Sequence, residues 1–398
     1  MPSIKTVWIG LTLLAVVLVA CQPATVEVQV PATVEVQVPV TVEVEVTRQV
    51  SVEQTREVLV TPTAAPRPGE FVNDYSGDLV ISVWGGTTEE WIREFVEPVF
   101  KKIYPNVTVI YDVGGMSARY TKLLAQRSNP EIDLFMSTGE SLFAAIGEGL
   151  LLKVNRDNIP NMQGLYEWAT PAPEYGAAYA AIAEGLCYNP DFFGDNPPTS
   201  WLDLWRPEVQ GKLAVPAFGH SQMPQFVNEA AELHGGNVGN IDPGLEALAQ
   251  LRPAAQTFFY TGWNAQFDAG DIVLAVDFDY YCNFMAQTGS NIRYVIPEEG
   301  AWGSIQHAAV VAGTDNQEMV EVFINLMLSP EVQASVANDL LNAPARLDVQ
   351  LTPDQEELLA VSAAHQDHIK WFPENVSVQV RPGWTELLNA RVAPVWGQ

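Results

Sequence analysis

IVLAVDFDYYCNFMAQTGSNIRYVIPEEGAWGSIQHAAV, residues 272–310, is the stretch on which the reading of the fold turns. Its first apolar run, 272–276, stops abruptly at Asp277-Phe278-Asp279-Tyr280-Tyr281, which predicts a buried strand whose C-terminal end opens into a crevice. A second apolar strand, 292–296, closes at Pro297. After Glu298-Glu299-Gly300-Ala301-Trp302 another extended run is expected over 305–312. Carboxylates, tyrosines and a tryptophan gathered at strand ends suit a cation held between aromatic faces and anionic oxygens.

Working outward, the chain of 398 residues exceeds one ordinary core, so two lobes or domains are expected. Its 20 Lys and Arg stand against 48 Asp and Glu, a formal charge of −28, which argues against nucleic-acid or anionic-membrane binding through a basic surface. Residues 1–21 read as a leader. Lys5 precedes the apolar run 7–20, too short for a spanning helix but suited to a signal-peptide core, and the run ends in Leu18-Val19-Ala20-Cys21. Small residues before a lone cysteine resemble the lipobox of bacterial lipoproteins, which makes Cys21 the expected site of lipidation and of anchoring to a membrane. Residues 22–74 read as a low-complexity tether. PATVEVQV at Pro23 returns at Pro31 and drifts from Pro39, and the recurrent prolines favour a tether over a sheet.

From residue 75 the pattern alternates. Strands are expected at 79–84, 107–111 and 132–136, each followed by a helix. Thr87 and Glu90 have the spacing of a capping box, and the turn Ser137-Thr138-Gly139 opens a helix running to Gly147. Three β-α units in a row imply a parallel sheet, and their strand ends place Trp84, Gly85, Ser137 and Thr138 along one edge. The mostly small and apolar run AAYAAIAEGLCY, 177–188, fits an extended crossing segment. A strand is expected at 212–216, and helices at 221–233, 242–251, 262–269, 318–328, 330–337 and 353–364. Cys187 and Cys282 are available to pair in an extracellular setting, and the sequence leaves open whether they do. No nucleophile elbow, phosphate loop or His-Glu-x-x-His pattern occurs, so neither an enzyme nor a cofactor is expected.

PTSWLDLWRPEVQGKLAVP (198–216), FDAGDIVLAVDFDYY (267–281), VIPEEGA (295–301) and EVFINLMLSPEVQASVA (321–337) resemble, in that order, the extracellular solute-binding proteins of ABC importers, in particular the spermidine/putrescine-binding and ferric-iron-binding group. The resemblance implies an α/β, two-lobed periplasmic-binding-protein type II fold, each lobe a mixed sheet flanked by helices, joined by two crossing hinge strands. Lobe 1 is then expected at 75–182 and 304–398, and lobe 2 at 183–303. It also implies a monomer outside the cytoplasm that traps a small solute between its lobes and hands it to an ABC permease. Trp84 and Ser137-Thr138 match the polyamine binders in place. The acidic pair of those proteins falls near Gln222 and Gln225, and their tryptophan and aspartate fall near Ser304 and Gln306, two residues from Trp302.

The expected ligand residues are therefore Trp84, Gly85, Ser137, Thr138, Ser221, Asp277, Asp279, Tyr280 and Trp302, taking a polyamine-like cation. Two other readings stay open. Tyr280-Tyr281 stand where the ferric-iron binders place adjacent tyrosines. A lipid-anchored hydrolase would use Asp277 and Asp279 as acid and base.

Overall fold

The computed structural model describes residues 73–257 and 262–396. The leader, Cys21 and all but the end of the expected tether lie outside the described residues. The strands in chain order are β1 (Gly77–Val83), β2 (Val107–Val113), β3 (Leu134–Thr138), β4 (Ala177–Tyr188), β5 (Leu213–Pro216), β6 (Pro253–Thr257), β7 (Leu274–Phe278), β8 (Arg293–Val295), β9 (Ala301–Val310), β10 (Ala343–Pro344) and β11 (Ile369–Trp371). They form one mixed sheet whose main path runs β2-β1-β3-β9-β4-β7-β5-β6. With helices packed on it, this is the α/β class the sequence pattern predicts.

The path explains the two long strands. β1 is parallel to β2 and β3, as successive β-α units require, and β5 is parallel to β6 and β7. Between these groups lie β9 and β4, antiparallel to each other and to their outer neighbours β3 and β7. All twelve residues of β4 are buried, which a run of alanines permits by letting covering elements approach closely on both faces. The alternation of a one-sided strand is accordingly missing from its sequence.

Buried side chains gather in separate clusters on either side of this central pair. One cluster surrounds Trp91, Phe100, Leu134 and Phe323, and takes in Ala177, Tyr179, Ile305 and Val310 from one end of β4 and β9. Another surrounds Trp201, Leu213, Phe226 and Leu245, and takes in Leu186 and Trp302 from the other end. Burying each such side chain contributes about 1.5–3 kcal/mol, so each crossing strand is held at both ends. Cys187 of β4 and Cys282 of the helix Asp279–Gln287 are disulfide-bonded, with Cα atoms 6.0 Å apart. That bond ties the second half of β4 to the element that follows β7.

One local expectation needs correction. The helix beginning at Thr87 takes Gly86 as its N-cap and makes no side-chain cap bond, so the Thr87/Glu90 capping box does not form. The helix also passes through a π turn, Ile92–Val96, before continuing as Glu97–Ile103, which accommodates Pro98. Strands β6, β10 and β11 and one long helix have no counterpart among the sequence expectations. The helix Glu374–Arg391 runs through Pro382 and packs against both the helix Gly139–Gly147 and the helix Met223–Leu233.

Candidate functional site

The register of the central strands builds a cleft wall. Glu184 of β4 is paired with Phe278 of β7 on one side and with Trp302 of β9 on the other. Directly opposed residues in antiparallel strands project to the same face, so the sheet presents the row Phe278, Glu184, Trp302. Thr138 and Glu140 come from the end of β3 and the first turn of the helix after it. Ser221, Gln222 and Gln225 come from the start of the helix Met223–Leu233, and Glu374 from the start of the helix Glu374–Arg391. The cleft they line has a free volume of about 10 Å³, about the room one water needs.

Its chemistry is anionic. Glu184 is 1% exposed and its Oε1 has no hydrogen-bond partner. Burial first, then the neighbouring Asp277 and Glu229, pushes its carboxyl well above the usual range. Glu374 has an enclosed Oε2 without a partner, and burial followed by the proximity of Glu140 pushes its carboxyl up to about 8. Glu140 is better provided for. Arg381 Nε lies 2.9 Å from its Oε1 and Ser377 Oγ donates to its Oε2 at 3.2 Å; burial raises its carboxyl while Arg381 pulls the other way.

Behind the tryptophan, Glu229 accepts from Trp302 Nε1 at 2.8 Å and from Lys370 Nζ, and Lys370 also sits over the indole, 4.3 Å from its centroid. The indole is thereby fixed in the wall. Glu184 and Glu374, which line the same small space, each have a buried oxygen without a partner, and the Gln222 Nε2 donor that also lines it is likewise without one. Such carboxylates are costly unless a proton, a donor or a bound cation satisfies them.

The residues singled out from sequence are dispersed. Thr138, Ser221 and Trp302 line the cleft, and so do Gln222, Gln225 and Ser304, the positions to which the resemblance carries the polyamine-binder site. Ser137 is fully buried beside His307 of β9. Trp84 packs on the buried Arg119, whose guanidinium carbon lies 4.4 Å from the indole centroid, and Gly85 is exposed next to Val113. Asp277 accepts from Trp263 Nε1 at 2.9 Å and from the Phe278 N–H at 2.7 Å. Asp279 accepts from the N–H groups of Ala183 and Ala360, each at 2.9 Å.

Neither aspartate is on the cleft wall. Tyr280 stacks on Phe278, and Tyr281 donates to Asn264. Among the described residues, no group of three or more His, Cys, Asp or Glu is arranged to hold a metal ion.

Sequence reasoning passed over Glu140, Glu184, Phe278 and Glu374. Only Glu184 left a clear signal, as the one charged residue in the apolar run AAYAAIAEGLCY. A lone carboxylate in a doubly covered strand needs a partner, and the sequence around it offers none.

Residues 99–363 match the family described as bacterial extracellular solute-binding protein. The putrescine-binding periplasmic protein SpuD of Pseudomonas aeruginosa (strain UCBPP-PA14) is 26% identical over 257 residues, 58% of this chain and 70% of that protein. The spermidine/putrescine-binding periplasmic protein of Escherichia coli (strain K12) is 24% identical over 231 residues, 53% of this chain and 66% of that protein, so the match spans just under two thirds of its length. A crystal structure of an ABC transporter from Clostridium perfringens ATCC 13124 superposes with a TM-score of 0.67 at 27% identity, covering 79% of this chain and 99% of that one. With a matching region that takes in most of the folded chain and a cleft at the centre of the sheet, the chain belongs to the bacterial extracellular solute-binding proteins, the substrate-binding class of ABC transporter components.

Proposed function

We propose that this protein captures a small organic cation bearing a protonated amine in the cleft between two lobes and delivers it to an ABC permease. The observation that carries the reading is the row Phe278, Glu184, Trp302, in which a buried carboxylate with an unpaired oxygen stands between two aromatic side chains. An ammonium group placed there gains a charge-assisted hydrogen bond and aromatic faces on either side, in surroundings where water does not compete. The names of the polyamine-binding relatives point the same way.

The separate buried clusters on either side of β4 and β9 support a reading in two lobes, with those strands between them. Lobe 1 comprises 75–182 and the chain from 304, and lobe 2 comprises 183–303, with the C-terminal helix sharing the second cluster. A free volume of about 10 Å³ does not admit a polyamine, so entry requires the lobes to part and binding favours their closing. Cys21 as the lipidated residue would tether this monomeric receptor at the outer face of the membrane.

Titration calorimetry of the purified chain against putrescine, spermidine, 4-aminobutyrate, ferric citrate and sulfate tests the reading. The amines are expected to bind and sulfate is not, with the amine recovered chemically unchanged after denaturation. Heat from ferric citrate alone would sink the cation reading in favour of iron, and hydrolysis of a bound compound would sink the transport reading.

A further inference from the structure

The helix Glu374–Arg391 lies beyond the residues that match the family, yet one stripe along it touches both sides of the cleft. Glu374, Ser377, Arg381, Trp384 and Leu388 recur at intervals of three and four, so they share a face. The second half of the stripe is apolar. Trp384 and Leu388, with Val392 and Trp396 beyond, join the cluster of Phe226, Leu245 and Leu248, and Trp396 Nε1 donates to the Leu248 carbonyl at 2.7 Å.

The first half is polar and is turned to the helix Gly139–Gly147. Ser377 and Arg381 hold both oxygens of Glu140, and the Glu374 carboxyl lies against Gly139 so closely that a Cβ there would come within 2.6 Å of Glu374 Cδ. Glu374 thus reaches the cleft from an element rooted in the Phe226 cluster and passes over the start of a helix that follows β3.

We propose that this C-terminal helix is part of the binding apparatus: it carries Glu374 into the cleft as a second ligand carboxylate beside Glu184, and its clasp on Glu140 sets where that carboxylate stands. The proposal rests on the cation reading above. The charged and titratable groups around Glu374 and its clasp include Glu140 from the helix after β3, Tyr120 from the helix Met116–Ala125, Arg381 on the same helix as Glu374 and His220 ahead of the helix Met223–Leu233, and Glu184 of β4 lines the same cleft. Among them Arg381 is committed to Glu140, and burial, with Arg381 nearby, lowers His220 to about 4. Among the described residues no cationic side chain forms an ion pair with Glu374, and a ligand ammonium can neutralise it. With its carboxyl pushed up to about 8, Glu374 carries a proton at pH 7 when the cleft is empty and gives it up when an ammonium arrives. Gly139 is needed because any side chain there occupies the space of the carboxylate.

Calorimetry with putrescine and spermidine on the full chain, run in buffers of different ionisation enthalpy, tests this. Glu374→Gln is expected to weaken binding at least tenfold and to reduce the number of protons released on binding, with unfolding of the empty protein unchanged or shifted to higher temperature. Gly139→Ala suits a helix conformationally and is expected to give a similar loss, and the double variant no more than either alone. Wild-type binding that survives Glu374→Gln within twofold, with proton release intact, while Glu184→Gln weakens it about thirtyfold, would overturn the role of the helix and leave the cation reading standing. If the wild-type chain binds neither amine, both fall together.

Discussion

Two buried acidic groups lie side by side in this protein, and they differ in what their oxygens touch. At the end of β7, Asp277 and Asp279 are 1% exposed and accept from the Trp263 indole and from backbone N–H groups of Phe278, Ala183 and Ala360. In the cleft, Glu184 is as deeply buried and Glu374 is enclosed at its tip, yet each has an oxygen with no donor. Burial raises the carboxyl pKa in both places. Acidity and depth therefore do not distinguish the two places; what differs is whether the fold supplies every carboxylate oxygen with a donor. The aspartates hold the end of β7 and the helix after it against β4. The glutamates, on the proposed reading, take theirs from the ligand.

The largest effect that could break this contrast is on stability. Asp279→Ala removes the acceptor of two buried N–H groups, Ala183 and Ala360, and is expected to cost about 3–5 kcal/mol in urea unfolding. A loss below about 1 kcal/mol would mean these bonds do not hold the fold. Next comes pH. Burial holds Asp279, Asp277 and Glu374 protonated up to about 6, 7 and 8, whereas the unfolded chain releases such protons near 4. Between those limits the folded state binds more protons, so the empty protein loses stability as pH rises from about 4 to about 8. Saturating putrescine should flatten the upper part of that slope, which thermal unfolding across the range would record.

A smaller and opposite signature belongs to the cleft. Glu184→Gln is expected to weaken amine binding about thirtyfold, roughly 2 kcal/mol, while leaving the empty protein as stable as before or more so. Equal losses of stability for Glu184→Gln and Asp279→Ala would erase the distinction. The smallest effect expected is for Trp302→Phe, which deletes the indole donor to Glu229 and trims one aromatic wall of the cleft. Affinity should fall severalfold, about 1 kcal/mol, with stability changed by a similar amount. An unaltered affinity would remove Trp302 from the ligand's surroundings.

How far the site could be read follows from where its residues come from. Phe278 was in view between the two aspartates, but alternation along β7 sends neighbouring side chains to opposite faces, so the phenyl ring enters the cleft and Asp277 turns to Trp263. Glu184 was legible as an isolated charge. Glu374 was not, because Pro382-Gly383 and the alternating valines Val376, Val378 and Val380 hide a helix whose polar half has meaning only against Gly139.

Local pattern was enough for the first three β-α units, the α/β class, the long crossing run 177–188 and the family, since periodicity and short motifs are properties of contiguous residues; β6, β11 and the helix Glu374–Arg391 left no such pattern. Which carboxylates find donors and which do not depends on register across β7, β4 and β9 and on a helix nearly two hundred residues from Glu184 in sequence. Hydrogen-bond satisfaction is settled by neighbours in space, and only the assembled sheet and its covering helix decide who those neighbours are.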